Sequence, residues 1–371
     1  MGFDIRETEA VLRVMSNKNL SGYMGNVEGM YGGPEVQALE REWEKYFNVK
    51  HAIAVNSNTS GLWCALAALN LKAGDGVLVT PYSMTCSASL PLLFGAVPVF
   101  VDIEEDYFCM DAKKLEETIL DNEDRNDAIK DGWLEGKQIN LRAILIVDLF
   151  GQPYDVDAVN AVAKKYGLVV IEDAAQAPGA TYKGQYAGTL GDIGVFSLNY
   201  HKHIHCGEGG IVVTDDDDYD LKIRLLMNHA EAVVNDFERK EGLAWSSGES
   251  DYTGLKLLVG MNLRMTELSA CIARVQLTKL DSILKRHRED WHYFPVKVRP
   301  ECQHSFYRYA WTSAQEFFLH EFDKFIMKQG YITPIYQMPL LRTLGYDQDL
   351  CPVCEEVNKN ITLAWRKDID G

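Results

Sequence analysis

An α/β fold with a mostly parallel central sheet is predicted by three features of the sequence. Apolar, β-rich runs alternate with helical segments from about residue 35 to 245, and strands buried on both faces between helices have that pattern. Hydrophobic residues fill 47% of 371 positions, enough for a large core and two domains. No internal repeat or low-complexity tract breaks the alternation.

The elements follow in order. "PEVQALEREWEKYF" sets Val36, Leu39, Trp43 and Phe47 at helical spacing, with Pro34 suited to the first turn. "AIAV" is a short buried strand, and a polar turn leads from it into the helix "SGLWCALAALNL". "GVLVT" is a strand ending at Pro81, and "VPVFVDI", "LRAILIVDLF" and "GLVVIED" are further strands. Helical segments such as "VDAVNAVAKKYG" separate them, and "DIGVFSL" and "GGIVVTD" close the series. The final third has more aromatic residues and fewer clean strands. It predicts a smaller C-terminal α/β domain, residues 246–371, after a large domain of residues 1–245. "RMTELSACIARVQLTKLDSILKRHRED" predicts one long amphipathic helix there.

Composition excludes several function classes. With 54 acidic and 37 basic residues the net charge is −17, which disfavours nucleic acid and offers no polybasic face to a membrane. No apolar run approaches the roughly 18 residues of a spanning helix. The acidic N-terminus lacks a signal-peptide core, and Arg6 stands where a myristoylation motif needs Ser or Thr. Eight scattered cysteines predict a reducing, cytoplasmic setting. Cys351 and Cys354 have CxxC spacing, but no second ligand pair or redox context accompanies them, so two reduced surface or half-buried thiols are expected. "DDDD" at 215–218 lacks calcium-loop spacing and predicts a solvated turn.

Ligands of open α/β sheets collect at the carboxyl ends of the strands. After "AIAV" come Asn56 through Gly61, whose small polar residues either cap the next helix or cradle a phosphate on its free amides. After "GLVVI" come Glu172 and Asp173, an acidic pair that is costly to bury unless partnered, with Gln176 three residues on at an expected helix start. A cationic ring nitrogen or an internal arginine would satisfy Asp173 equally well. After "DIGVF" come Ser197 and "LNYHKHIHCGEGG", where Gly207, Gly209 and Gly210 close a turn around Lys202. A lysine there is either a surface charge or, held between two core strands, an amine nucleophile toward carbonyls. His201, His203 and His205 alternate through the same stretch, but one ligand face without a carboxylate or cysteine pair does not complete a metal site. A phosphate cradle, a carboxylate for a ring nitrogen and a lysine amine together match the demands of pyridoxal 5'-phosphate.

The stretch "EDAAQAPGATYKGQYAGTLGDIGVFSLNYHKHIHCGEGG" resembles the core signature of the DegT/DnrJ/EryC1/StrS family of sugar aminotransferases. "AVNSNTSGLWCAL", "TPYSMTCSAS", "GAVPVFVDI" and "GMNLRMTELSACIARVQL" fall in that family's order, so the likeness runs from about residue 30 to 285. The resemblance implies the pyridoxal phosphate transferase fold of type I. It implies a Schiff base between the cofactor and Lys202, Asp173 on the ring nitrogen and Gln176 on the ring hydroxyl. Thr59, Ser60 and Ser197 would hold the phosphate, with Asn58 in the same cofactor-binding turn. Asn262 would reach the phosphate of a neighbouring subunit, which makes the protein a homodimer with the C-terminal domain contributing dimer and substrate contacts. Two positions depart from the pattern: Met84 replaces an aromatic residue over the ring, and "TPIYQMPLLRTLGY" lacks a histidine of the substrate side. The implied reaction transfers an amino group from L-glutamate, through pyridoxamine phosphate, to a nucleotide-linked keto-deoxysugar in polysaccharide biosynthesis. The family's dehydratase branch, in which histidine replaces the lysine, is the alternative. Counting seven positions from Phe196 puts Lys202, and not its histidine neighbours, in the nucleophile's place.

Overall fold

The computed structural model describes residues 2–124, 139–232, 258–312, 325–331, 333–346 and 350–366. The boundary expected at 245/246 lies outside the described residues. The chain begins with α1 (Ile5–Asn17), α2 (Pro34–Phe47), β1 (His51–Val55) and α3 (Asn58–Ala68). Next come β2 (Asp75–Val79), α4 (Cys86–Leu93), β3 (Val97–Phe100), α5 (Ala112–Asp124) and β4 (Asn140–Val147). They are followed by α6 (Val156–Tyr166), β5 (Val169–Asp173), β6 (Thr181–Tyr182), β7 (Gln185–Tyr186), β8 (Ile193–Ser197) and β9 (Gly210–Thr214). After α7 (Asp217–Met227), α8 (Glu267–Leu277) and α9 (Leu280–Asp290) come β10 (Cys302–Gln303), β11 (Tyr309–Thr312) and β12 (Phe325–Gln329). Last are α10 (Pro339–Thr343), α11 (Pro352–Asn360) and β13 (Ile361–Arg366).

These elements form two compact units. The first comprises Leu69–Gly194 and Asp281–Gly371 with Met1–Gly2, the second Phe3–Ala68 and Val195–Leu280. In the first unit four parallel strands lie in the order β5-β4-β2-β3. β2 is buried throughout, and β4 and β5 along most of their length, so both faces are covered, as their unbroken apolar runs require. Val147 pairs with Asp173, which brings the carboxyl ends of β4 and β5 to one level. A separate antiparallel sheet, in the order β11-β13-β12, has a core of Phe294, Tyr309 and Trp311, with the first two rings stacked at 4.4 Å.

In the second unit β1 and β9 pair antiparallel, from His51 opposite Thr214 to Val55 opposite Gly210. Trp43 and Phe47 of α2 stack at 4.8 Å, and Phe196 of β8 meets Phe47 at 4.7 Å. Val36, Leu39, Trp43 and Phe47 are all buried, the apolar stripe that the spacing of α2 predicts. Among the described residues, no helix is long and apolar enough to cross a membrane.

Three local expectations change. The long helix of residues 264–290 is two helices, α8 and α9, because the chain tightens at Thr278 and Lys279. There the Thr278 hydroxyl donates to Val275 O and the Lys279 amide to Gln276 O, both three residues back. The buried Lys279 ammonium pairs with Glu7 and Asp4, and that contact holds the break in place. The acidic run 215–218 is half helix: Asp216 caps α7 by accepting from the Asp218 and Tyr219 amides. Cys351 and Cys354 are buried and not at the surface. The amides of Val353 and Cys354 donate to the Asp102 carboxylate, so the CxxC turn is a packed helix start whose thiols burial pushes up.

Candidate active site

The acidic pair that ends β5 divides by strand alternation. Glu172 accepts the backbone amides of Gly188, Leu190 and Gly191 at 2.7, 2.8 and 3.2 Å. Asp173 is 4% exposed and accepts from the Ala175 amide at 3.1 Å. Glu172 is held by these three amides and lies beside a second acid. Asp148, just past β4, is fully buried, accepts from the Tyr154 amide at 3.1 Å and donates its own amide to Asp173 O. Burial, with the Glu172 charge beside it, pushes the Asp148 carboxyl well above the usual range, and burial raises Glu172 as well. Glu172 has three donors and Asp148 one, so the proton of the pair belongs on Asp148.

Gln176 lies in a turn, not at the expected helix start. The Ala177 amide closes onto Ala174 O at 3.0 Å, and Pro178-Gly179 makes a second turn, with Gly179 at φ +73° and the Ala180 amide on Ala177 O. Pro-Gly at the two central positions is the type II signature, a cue present in the sequence. Gln176 Oε1 accepts from the Phe150 amide at 2.7 Å, and Nε2 donates to Tyr331 Oη at 3.1 Å. Because an N–H needs an oxygen, the Phe150 contact fixes which end of the amide is which. Phe150 holds this position at φ +60°, the left-handed region, and is followed by Gly151 at φ +102°. Met84 is 56% exposed.

The other predicted residues belong to the second unit. Asn58, Thr59 and Ser60 form the first turn of α3, which begins two residues earlier than the expected start at Ser60. Asn58 is buried and donates from Nδ2 to Val195 O at 3.2 Å, tying this turn to β8. The Ser60 hydroxyl bonds Asn56 Oδ1 at 2.6 Å and meets Ser57 Oγ at 2.9 Å, a local cap. The exposed Thr59 hydroxyl makes no hydrogen bond among the described residues. Gly210 opens β9 where a Cβ would stand 2.6 Å from the Ser57 backbone, so only glycine lets the strand approach the turn.

Ser197 ends β8, buried, and its hydroxyl accepts from the Asn199 amide at 3.3 Å. Lys202 is half-buried in the following turn, its amide donating to Asn199 O at 2.9 Å. The turn is closed by Tyr200 N on Gly207 O and Leu198 N on Gly209 O, with Gly207 at φ +88°. Residues 201–206 are therefore not a strand, and the three histidines share no face: His201 is exposed, His203 buried and His205 half-buried against Phe3. Asn262 is exposed; its Oδ1 accepts from Arg264 Nε at 2.9 Å, and its Nδ2 makes no hydrogen bond among the described residues.

Asp148, Phe150 and Tyr331 are additions to the predicted set. Asp148 obeys the rule that located Asp173, an acid ending an apolar strand. Gly151 hints at the strained turn, but nothing near Tyr331 signals its role.

Residues 16–363 match the model of the DegT/DnrJ/EryC1/StrS aminotransferase family. The spore coat polysaccharide biosynthesis protein SpsC of Bacillus subtilis is 35% identical over 257 residues, 69% of this chain and 60% of that protein. GDP-perosamine synthase of Caulobacter vibrioides is 36% identical over 252 residues, 68% of this chain and 58% of that protein. The chain thus spans about three fifths of the length of these relatives. The crystal structure of an aminotransferase from Psychrobacter cryohalolentis superposes with a TM-score of 0.77 at 25% identity, over 98% of this chain and 91% of that one. The expected fold, α/β of type I with a mostly parallel sheet, is borne out.

Proposed function

The chain belongs to the DegT/DnrJ/EryC1/StrS aminotransferase family, and from that premise we propose that it is a pyridoxal phosphate-dependent sugar aminotransferase. Its acceptor is a nucleotide-linked keto-deoxysugar and its donor L-glutamate. The likeness to GDP-perosamine synthase supports the nucleotide-sugar class. The observation that carries the reading is Asp173, a carboxylate buried at the end of a parallel strand and followed by an amide of fixed orientation in Gln176.

The residues fit the cofactor. Thr59 Oγ and Asn262 Nδ2 are exposed donors without partners among the described residues, as an anion site needs. The first-turn amides of α3 add the positive end of a helix. When bound, pyridoxal phosphate supplies an electron sink and carries the amino group between substrates. Asp173 keeps a proton on the ring nitrogen, and Gln176 Nε2 donates to the ring hydroxyl. Asn58, Thr59, Ser60 and Ser197 hold the phosphate side, with Asn262 supplied by the neighbouring protomer of a homodimer. Met84 covers a ring face with its thioether. Lys202 Nζ would hold the cofactor aldehyde covalently, and as a free amine would take and return the substrate's Cα proton, as base and then acid. We assign the ring and phosphate contacts to residues 1–245 and dimer and substrate contacts to residues 246–371. The protein acts in the cytoplasm, where its eight free thiols stay reduced.

Incubation with L-glutamate and a panel of nucleotide-linked keto-deoxysugars tests this, with products identified by mass spectrometry. The expected result is an aminated sugar with stoichiometric 2-oxoglutarate. A deoxygenated, non-aminated sugar would assign the dehydratase reaction instead, and no turnover across the panel would refute both.

A further inference from the structure

We infer that Tyr331 is a positioning residue for Gln176, the second half of a clamp whose first half is the Phe150 amide. This rests on the reading of Gln176 as the donor to the cofactor's ring hydroxyl.

A primary amide has two acceptor sites on oxygen and two hydrogens on nitrogen. In Gln176 the oxygen accepts from Phe150 N at 2.7 Å, and one hydrogen goes to Tyr331 Oη at 3.1 Å. With both ends tied, the amide can neither flip nor swing, and its second Nε2 hydrogen has a set direction. One tie alone would leave rotation about the last side-chain bond, which is a broad torsion.

Tyr331 is itself held at two points. Its backbone amide donates to Tyr82 Oη at 3.0 Å, and its ring meets the Tyr82 ring edge-on at 5.2 Å. The ring also lies within 20° of parallel to that of Phe150, with centroids 6.4 Å apart, and the Phe150 and Tyr82 rings meet each other edge-on at 6.4 Å. Gly330 allows the approach, since a Cβ there would collide with Tyr82 Oη. The same Phe150 thus supplies an amide to one end of Gln176 and a ring to the residue that holds the other. Burial pushes the Tyr331 phenol up, so it stays protonated at neutral pH. Its oxygen accepts from Gln176, and its own hydrogen is left to donate elsewhere.

The test uses the full-length holoenzyme, Tyr331→Phe, Gln176→Ala and the double variant. Phenylalanine keeps both ring contacts and the backbone bond to Tyr82 and removes only the hydroxyl. Two quantities are read: the dissociation constant for pyridoxal phosphate, and the pH midpoint at which the bound cofactor's visible band changes. Tyr331→Phe is expected to weaken cofactor binding about three- to tenfold, the size of one lost hydrogen bond, and to shift the midpoint in the same direction as Gln176→Ala. Added to Gln176→Ala, it should change neither quantity further. A Tyr331→Phe protein with wild-type affinity and midpoint, or one whose effect adds in full to that of Gln176→Ala, would overturn the clamp while leaving the cofactor assignment intact. A wild-type protein that binds no cofactor, or a Gln176→Ala variant identical to it, would overturn both.

Discussion

Asp173 and Gln176 differ from Thr59 and Lys202 in how the fold holds them, although all four are proposed to meet one cofactor. The first two are buried at a strand end, and the contacts that orient them are backbone amides and a phenol of their own unit. The second two sit on turns: Thr59 is exposed without a side-chain partner among the described residues, and Lys202 is half-buried at the tip of a glycine-closed loop. The contrast separates two kinds of construction. Groups that must meet a planar ring at fixed angles are built into the hydrophobic interior. A group proposed to wrap a phosphate, as Thr59 is, keeps hydrogen-bonding capacity for the ligand.

Substitutions at the two places should therefore fail differently. The largest loss is expected from Lys202→Ala, which would remove the proposed covalent anchor and proton carrier together. Turnover should drop about 10⁴-fold or more, while the melting temperature of the cofactor-free protein stays within a degree or two of wild type. Asp173→Asn keeps the shape and removes the charge, so turnover should fall about 10²- to 10³-fold with cofactor still bound. Gln176→Ala strands the Phe150 amide, and urea unfolding of the cofactor-free protein should register about 1–3 kcal/mol of lost stability. Thr59→Ala, by contrast, should weaken cofactor affinity about tenfold and leave that unfolding curve unchanged. Equal stability losses at Gln176 and Thr59 would erase the distinction.

The smallest effect is one of pH. Folded Asp148 keeps its proton, whereas the unfolded chain gives it up above about pH 4. From there up to the raised folded value the native state binds more protons, so this group makes stability fall as pH rises. Asp148→Asn retains an acceptor for the Tyr154 amide and offers Glu172 a donor. The fall in melting temperature between about pH 5 and about pH 8 should accordingly be shallower in the variant. An unchanged slope would move the shared proton elsewhere.

The strands were legible because a parallel strand covered on both faces shows as an unbroken apolar run, and the residues just past those runs included Asp173 and Ser197. Lys202 was legible as a charge held between two core strands and a glycine return. The Gln176 turn stands where the acidic strand end suggests a helix start, and Pro178-Gly179 is its mark in the sequence. The break between α8 and α9 escaped because helical periodicity carries on through Thr278 and Lys279, and the partners of Lys279 lie at the far N-terminus. Tyr331 escaped for the same reason: it meets Gln176 across 155 positions of chain. Phe150 gave no sign of a left-handed backbone, because such a conformation is imposed by its surroundings and not by an aromatic side chain.

The central claim is the bond between Lys202 and the cofactor, and borohydride reduction of the holoenzyme followed by peptide mapping tests it most directly. A pyridoxyl mass is expected on the peptide carrying Lys202 and on no other lysine. Bound cofactor with the label on a different lysine, or with Lys202 unmodified, would contradict it.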